Sequence, residues 1–116
     1  LLVLWDKGVN GGHFNANRFV ELTATNPARL FGMYPRKGAL AIGSDADIVL
    51  WDARAAHTIS AQTMRTRSDY TLYEGWRVQG KPVKVFLRGH LIVDGERWLG
   101  KAGMGQFIKR QPMQPV

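Results

Sequence analysis

Helical periodicity early in the chain, β-branched runs with hairpin signals in its middle, and a tail poor in apolar residues predict an α+β fold. Helices first and strands afterwards suggest two architectural units, not one interleaved α/β unit. A length of 116 residues suits one small domain, or parts of two, with a modest core. At 45% hydrophobic and 22% charged, the chain has the composition of an ordinary globular protein.

The clearest helical stretch runs from Asn15 to Gly32. Asn15 suits an N-cap, and Phe19, Leu22 and Thr23 share one face at helical spacing. Asn26-Pro27 can restart a helix, with Asn26 as its cap and Pro27 at its first position, and Gly32 can close it in a left-handed conformation. Two short helices, or one with a break near Thr25, fit equally well. Ahead of them, Leu1 to Leu4 are apolar and run straight into Trp5, with neither the basic start nor the cleavage site of a signal peptide. They read as the end of an amphipathic element whose beginning is missing, so the chain is expected to be truncated at its N-terminus.

After Gly32 the period changes. Pro35 to Gly38 has turn chemistry, Ala39 to Ile42 is a short strand candidate, and Gly43-Ser44-Asp45 turns the chain again. Asp47 to Asp52 is an apolar run held between acids, which predicts a strand covered on both faces. His57 to Ala61 is a weaker strand, and Arg65 to Gly80 lacks a period and reads as a long ordered loop. From Val83 to Leu99 a meander is expected: one strand to Leu87, a bend at Arg88-Gly89-His90, a return over Leu91 to Val93, and a hairpin at Asp94-Gly95. The tail from Gly100 is rich in Gly, Pro and Gln and needs a partner surface to be ordered. The sheet would be small with exposed edges, which again reads as incomplete.

Several function classes are disfavoured. No apolar run approaches the ~20 residues of a membrane span. Cysteine is absent, which excludes disulfides and thiolate metal sites and is compatible with a cytoplasmic location. The net charge of +7 permits nucleic-acid binding, but the basic residues fall in scattered pairs such as Arg36-Lys37, Lys81 with Lys84, and Lys109-Arg110. No stripe emerges, so no nucleic-acid partner is expected.

The residues that could carry chemistry form no persuasive active site. His13, His57 and His90 lie more than thirty residues apart and make no metal-binding motif. His13 belongs to a Gly-rich loop, His57 opens a weak strand, and His90 sits in a bend. Asp45, Asp47 and Asp52 cluster around the best strand, where turn and backbone hydrogen bonding explains them better than paired-carboxylate catalysis. Ser44 and Ser60 lack the flanking glycines of a nucleophile elbow, and Gly103-x-Gly105 lacks the strand and helix of a phosphate loop. Asp69-Tyr70 and Tyr73 to Trp76 could line a pocket, or anchor a long loop onto a core.

Two stretches are recognisable as they stand: NPARLFGMYPRKG from Asn26 to Gly38, and IGSDADIVLWD from Ile42 to Asp52. Thr58 to Ala61, Asp69 to Gly75, Gly80 to Val83 with Arg88-Gly89, and Gly103 to Arg110 narrow the match. In combination, and over nearly the whole chain, they resemble the end of the dihydropyrimidinase and D-hydantoinase family, cyclic amidohydrolases of the amidohydrolase superfamily.

The resemblance implies an enzyme that opens dihydropyrimidine or hydantoin rings by hydrolysis. Members hold two divalent metals, usually zinc, in a (β/α)8 barrel, where they activate a bridging hydroxide. The family's ligands are a His-x-His pair, a carbamylated lysine, two further histidines and an aspartate. No position here matches those motifs, so no catalytic, cofactor-binding or metal residue is assigned and no cofactor is expected on this chain. The resemblance instead makes residues 1–37 the last barrel helices, residues 38–99 the C-terminal strands of an accessory β-sandwich, and residues 100–116 an extended tail that contacts neighbouring subunits. The implied partners are the rest of the parent enzyme, further copies in a homodimer or homotetramer, and a small cyclic amide. The alternative is a non-enzymatic structural or interaction protein with the same fold.

Overall fold

The computed structural model describes residues 1–116. A π-helical turn, Leu4–Asn10, opens the chain. A continuous helical rod follows, made of α1 (Ala16–Val20), a π-helical segment (Glu21–Thr25) and α2 (Asn26–Leu30). Four antiparallel strands complete the fold, β1 (Ile48–Thr58), β2 (Arg77–Leu87), β3 (His90–Asp94) and β4 (Arg97–Trp98), in the meander order β1-β2-β3-β4.

Asn15 caps the rod as expected, its side chain accepting the Arg18 N–H at 2.9 Å. Asn26 does not cap a second helix. It has helical backbone (φ −64°, ψ −45°), and its Oδ1 is buried without a partner. Pro27 explains the wide turn ahead of it. Proline has no N–H to donate four residues back, and its ring presses on that carbonyl. The turn therefore opens to a five-residue bond from the Asn26 N–H to the Glu21 carbonyl, and the rod continues unbroken. Gly32 closes it in the left-handed conformation (φ 63°). Phe19 turns inward, whereas Leu22 stays 37% exposed.

The strand boundaries differ from the sequence expectation in several places. Ala39 to Ile42 is not a strand: no neighbouring edge pairs it, and Leu40 and Ile42 stand in solvent. The apolar run, from Ile48, and only the first two residues of the weaker strand, His57 and Thr58, join in β1, while Ile59 to Ala61 lie beyond its end. The Asp52 carboxylate accepts the N–H groups of Arg54 and Ala55 at 2.8 and 3.2 Å, which shapes a bulge and carries the strand onward. β2 begins at Arg77, inside the stretch expected to be loop, because Arg77 and Val78 pair with Thr58 and His57. His90 pairs with Leu87, so the bend is the two-residue turn Arg88-Gly89 with positive φ at both positions.

One aromatic cluster joins the helices to the sheet. Trp5, Phe19 and Trp51 come from the first turn, α1 and β1, with ring centroids 5.1, 5.3 and 5.8 Å apart. Gly80 of β2 lies against them with φ 102°, and a Cβ there would fall 2.3 Å from Trp5 Cδ1. Around this centre the molecule is open. Only seven residues are buried, and the accessible surface is 8471 Å². A compact monomer of this mass exposes about 6,300 Å². Val49 and Leu50 are exposed, so β1 is not covered on both faces by this chain.

Candidate packing and assembly surfaces

A concavity of about 570 Å³ lies between α1, the loop after Gly32 and β1. Its wall is apolar, with Phe19, Val20, Leu40, Val49 and Trp51 among the lining residues. Lys37, Asp45 and Asp47 supply its charge, and no histidine lines it.

Those three charges form a clasp. Lys37 Nζ is 2.9 Å from Asp45 Oδ2 and also bonds the Asp47 carboxylate. Arg36 adds a bond to Asp45 at 3.0 Å, and the free Asp47 oxygen accepts the Arg88 N–H at 2.8 Å. Burial disfavours the Lys37 charge, but its hydrogen bonds to Asp47 and Asp45 outweigh that and raise its pKa above the ordinary lysine value. The bond from Lys37 holds the Asp45 carboxyl below its ordinary range, with Arg36 assisting. These carboxylates, which could have formed a paired acid and base, are engaged by cations and backbone. Asp6 is treated similarly: it accepts the Gln79 N–H at 2.9 Å, and that bond first, then Lys7, lowers its pKa.

The histidines do not converge on this clasp. His13 follows the first turn, exposed, its N–H donating to the Gly8 carbonyl at 2.9 Å. His57 pairs with Val78 within the sheet and lines a small hollow with Arg77. His90 is exposed at the start of β3. No group of three or more His, Cys, Asp or Glu side chains is arranged to hold a metal ion.

Ser44 and Ser60 are tied to nearby backbone. Ser44 Oγ donates to the Pro35 carbonyl at 2.7 Å, and Ser60 Oγ accepts the Gln62 N–H at 3.3 Å. The loop before β2 is anchored onto the end of β1. The Gly75 N–H reaches the Ile59 carbonyl at 2.8 Å, and the Ile59 N–H reaches the Trp76 carbonyl at 2.9 Å. Glu74 accepts the Ala61 N–H at 2.7 Å, and that bond, with Ser60, lowers its pKa. Tyr73 packs edge-on to Trp76 at 5.3 Å, while Tyr70 and Leu72 face solvent. Gly103 makes a turn (φ 82°) in the tail, away from any strand-to-helix junction.

Sequence reasoning missed the clasp, although Lys37 and the Asp45-x-Asp47 pair were both in view. It also missed the role of Gly80. The signal there was a glycine beside Lys81-Pro82 at the start of an apolar run, which marks close approach as readily as a turn.

An aromatic cluster around the buried Phe19 and an open groove with an apolar wall are what the chain presents. The chain belongs to the amidohydrolase family, whose model matches residues 2–92. It is 48% identical to the D-hydantoinase of Ralstonia pickettii over 95% of this chain and 24% of that protein. It is 44% identical to the dihydropyrimidinase of Rattus norvegicus over 95% of this chain and 21% of that protein. The solved D-hydantoinase of Bacillus sp. AR9 superposes with a TM-score of 0.93 at 42% identity, covering 98% of this chain and 25% of that one. The chain thus spans about a quarter of the length of the relatives it matches. No helix is long and apolar enough to cross a membrane.

Proposed function

We propose that this chain is the C-terminal part of a hydrolase that opens dihydropyrimidine or hydantoin rings, and that alone it supplies scaffold and subunit contacts without the catalytic centre. The observation that carries the reading is the 48% and 44% identity to a D-hydantoinase and a dihydropyrimidinase over 95% of the chain. On this reading residues 1–37 are the last helices of a (β/α)8 barrel, residues 38–99 are strands of an accessory β-sandwich, and residues 100–116 reach a neighbouring subunit. The exposed apolar wall of the groove and the uncovered face of β1 are then surfaces for the remainder of the parent. That parent works in the cytoplasm on a small cyclic amide, as a homodimer or homotetramer.

Two divalent metals, zinc by the family's habit, would supply the activated hydroxide in such an enzyme. The residues of this chain do not fit them. Asp45 and Asp47 are held by Lys37, and no His, Asp or Glu group of three or more is assembled. No step of the hydrolysis is therefore assigned to a side chain here.

Ring-opening of dihydrouracil and of hydantoin, measured with zinc for the 116-residue chain and for the intact protein, tests the proposal. Turnover by the intact protein and none by the chain is the expected result. Zinc-dependent turnover by the chain alone would overturn the scaffold role. A folded intact protein that opens neither ring would favour a non-enzymatic protein of the same fold.

A further inference from the structure

We infer that the tail is a strap fastened to its own chain, with Gln111 and Gln114 capping the end of α2 and the turn that follows it. A helix leaves its last carbonyls without intrahelical donors. Here the Gln111 N–H donates to the Gly32 carbonyl at 2.7 Å. The Gln114 N–H donates to the Arg29 carbonyl at 3.1 Å, sharing it with the Gly32 N–H. The Gln114 side-chain amide reaches the Tyr34 carbonyl at 3.4 Å.

The local sequence suits this task. In Gln111-Pro112-Met113-Gln114-Pro115 the prolines have no N–H and restrict the backbone. Of the three N–H groups left, two go to the helix end. Gly32 is the reciprocal half of the fit. A Cβ on Gly32 would lie 1.8 Å from the Gln111 carbonyl oxygen, so the strap, and not only the positive φ, requires glycine there. A second fastening lies upstream, where the Arg88 guanidinium donates to the Met104 carbonyl. Between the fastenings Phe107 stands 93% exposed, the large side chain that the strap leaves for another surface.

The inference does not rest on the hydrolase reading, and its test needs no turnover. In the intact protein, Gln111→Pro with Gln114→Pro removes both backbone donors, whereas Gln111→Ala with Gln114→Ala keeps them. Amide hydrogen exchange over residues 29–38 should quicken about fivefold or more in the proline variant relative to the alanine variant. Independently, Gly32→Ala should expel the strap and speed trypsin cleavage at Lys109 and Arg110. Equal exchange in the two double variants, or unchanged cleavage in Gly32→Ala, would overturn the strap.

Discussion

Lys37 grips Asp47 from ten residues away, and Asp47 passes the connection on by accepting the Arg88 N–H at 2.8 Å. One carboxylate thereby ties the loop that follows α2 to the turn between β2 and β3. The Gly89 N–H, bonded to the Ala46 carbonyl at 2.9 Å, closes the same seam.

Replacing Lys37 by Met should lower the denaturation midpoint at neutral pH, and the loss should depend on pH. The Asp45 pKa is depressed, so its share of the clasp is complete above the ordinary value of 3.8 and fades as pH falls through its lowered value. The Lys37 pKa is raised, so its share is complete below 10.5 and fades as pH climbs through the raised value. The parent and Lys37→Met should differ by a constant amount between those limits and converge outside them. Urea midpoints from pH 2 to 8 check the acid side. A difference that persists undiminished at the lowest pH would contradict the clasp.

Phe19→Ala removes the ring that touches both Trp5 and Trp51. Truncating a buried Phe costs about 3–5 kcal/mol, and the groove beside Phe19 lets water reach the gap, which favours the lower end. Denaturant unfolding followed by tryptophan fluorescence should show that loss, with a red-shifted native spectrum. Gly80→Ala should disturb the same cluster from the other side, since its Cβ meets Trp5 Cδ1 at 2.3 Å. The near-UV dichroism of the two indoles is the readout.

How much of this was legible depended on whether the signal was local. The Asn15 cap and the left-handed Gly32 each rest on two to four neighbouring residues and stand where the sequence places them, whereas the hairpin expected at Asp94-Gly95 turns one residue later, over Gly95-Glu96, because Asp94 pairs with Arg97. Ala39 to Ile42 is not the strand expected from its short apolar run, because such a run forms a strand only when an edge exists to pair with it. β2 was begun late because Arg77 to Gly80 owes its extended form to β1 and to Asp6, 73 residues from Gln79. The clasp has the same character. Residue types announced Lys37, Asp45 and Asp47, but their convergence is a property of the folded chain.

Substituting His13, His57 or His90 by Ala one at a time should leave ring-opening by the intact protein unchanged. Each already has a structural setting: a loop after the first turn, a paired position in β1 and the first residue of β3. Measured kcat/KM on dihydrouracil, with circular dichroism to confirm folding, is the check. A fall of tenfold or more in a folded variant would place that histidine in the chemistry.

Deleting Gly100 to Val116 should weaken subunit assembly more than it weakens turnover per subunit. Two effects are superimposed in that variant, because the deletion also removes the bonds from Gln111 and Gln114 to the end of α2. Phe107→Ala separates them. It leaves the strap's backbone intact and truncates only the 93% exposed ring. Sedimentation velocity should show smaller species for both variants, while thermal unfolding falls only for the deletion. If both keep the parent's mass, Phe107 contacts no neighbour, and the strap's role ends within its own chain. If Phe107→Ala keeps the parent's mass and the deletion does not, the contact lies elsewhere in the tail, at Met113 or Val116, which are 68% and 64% exposed.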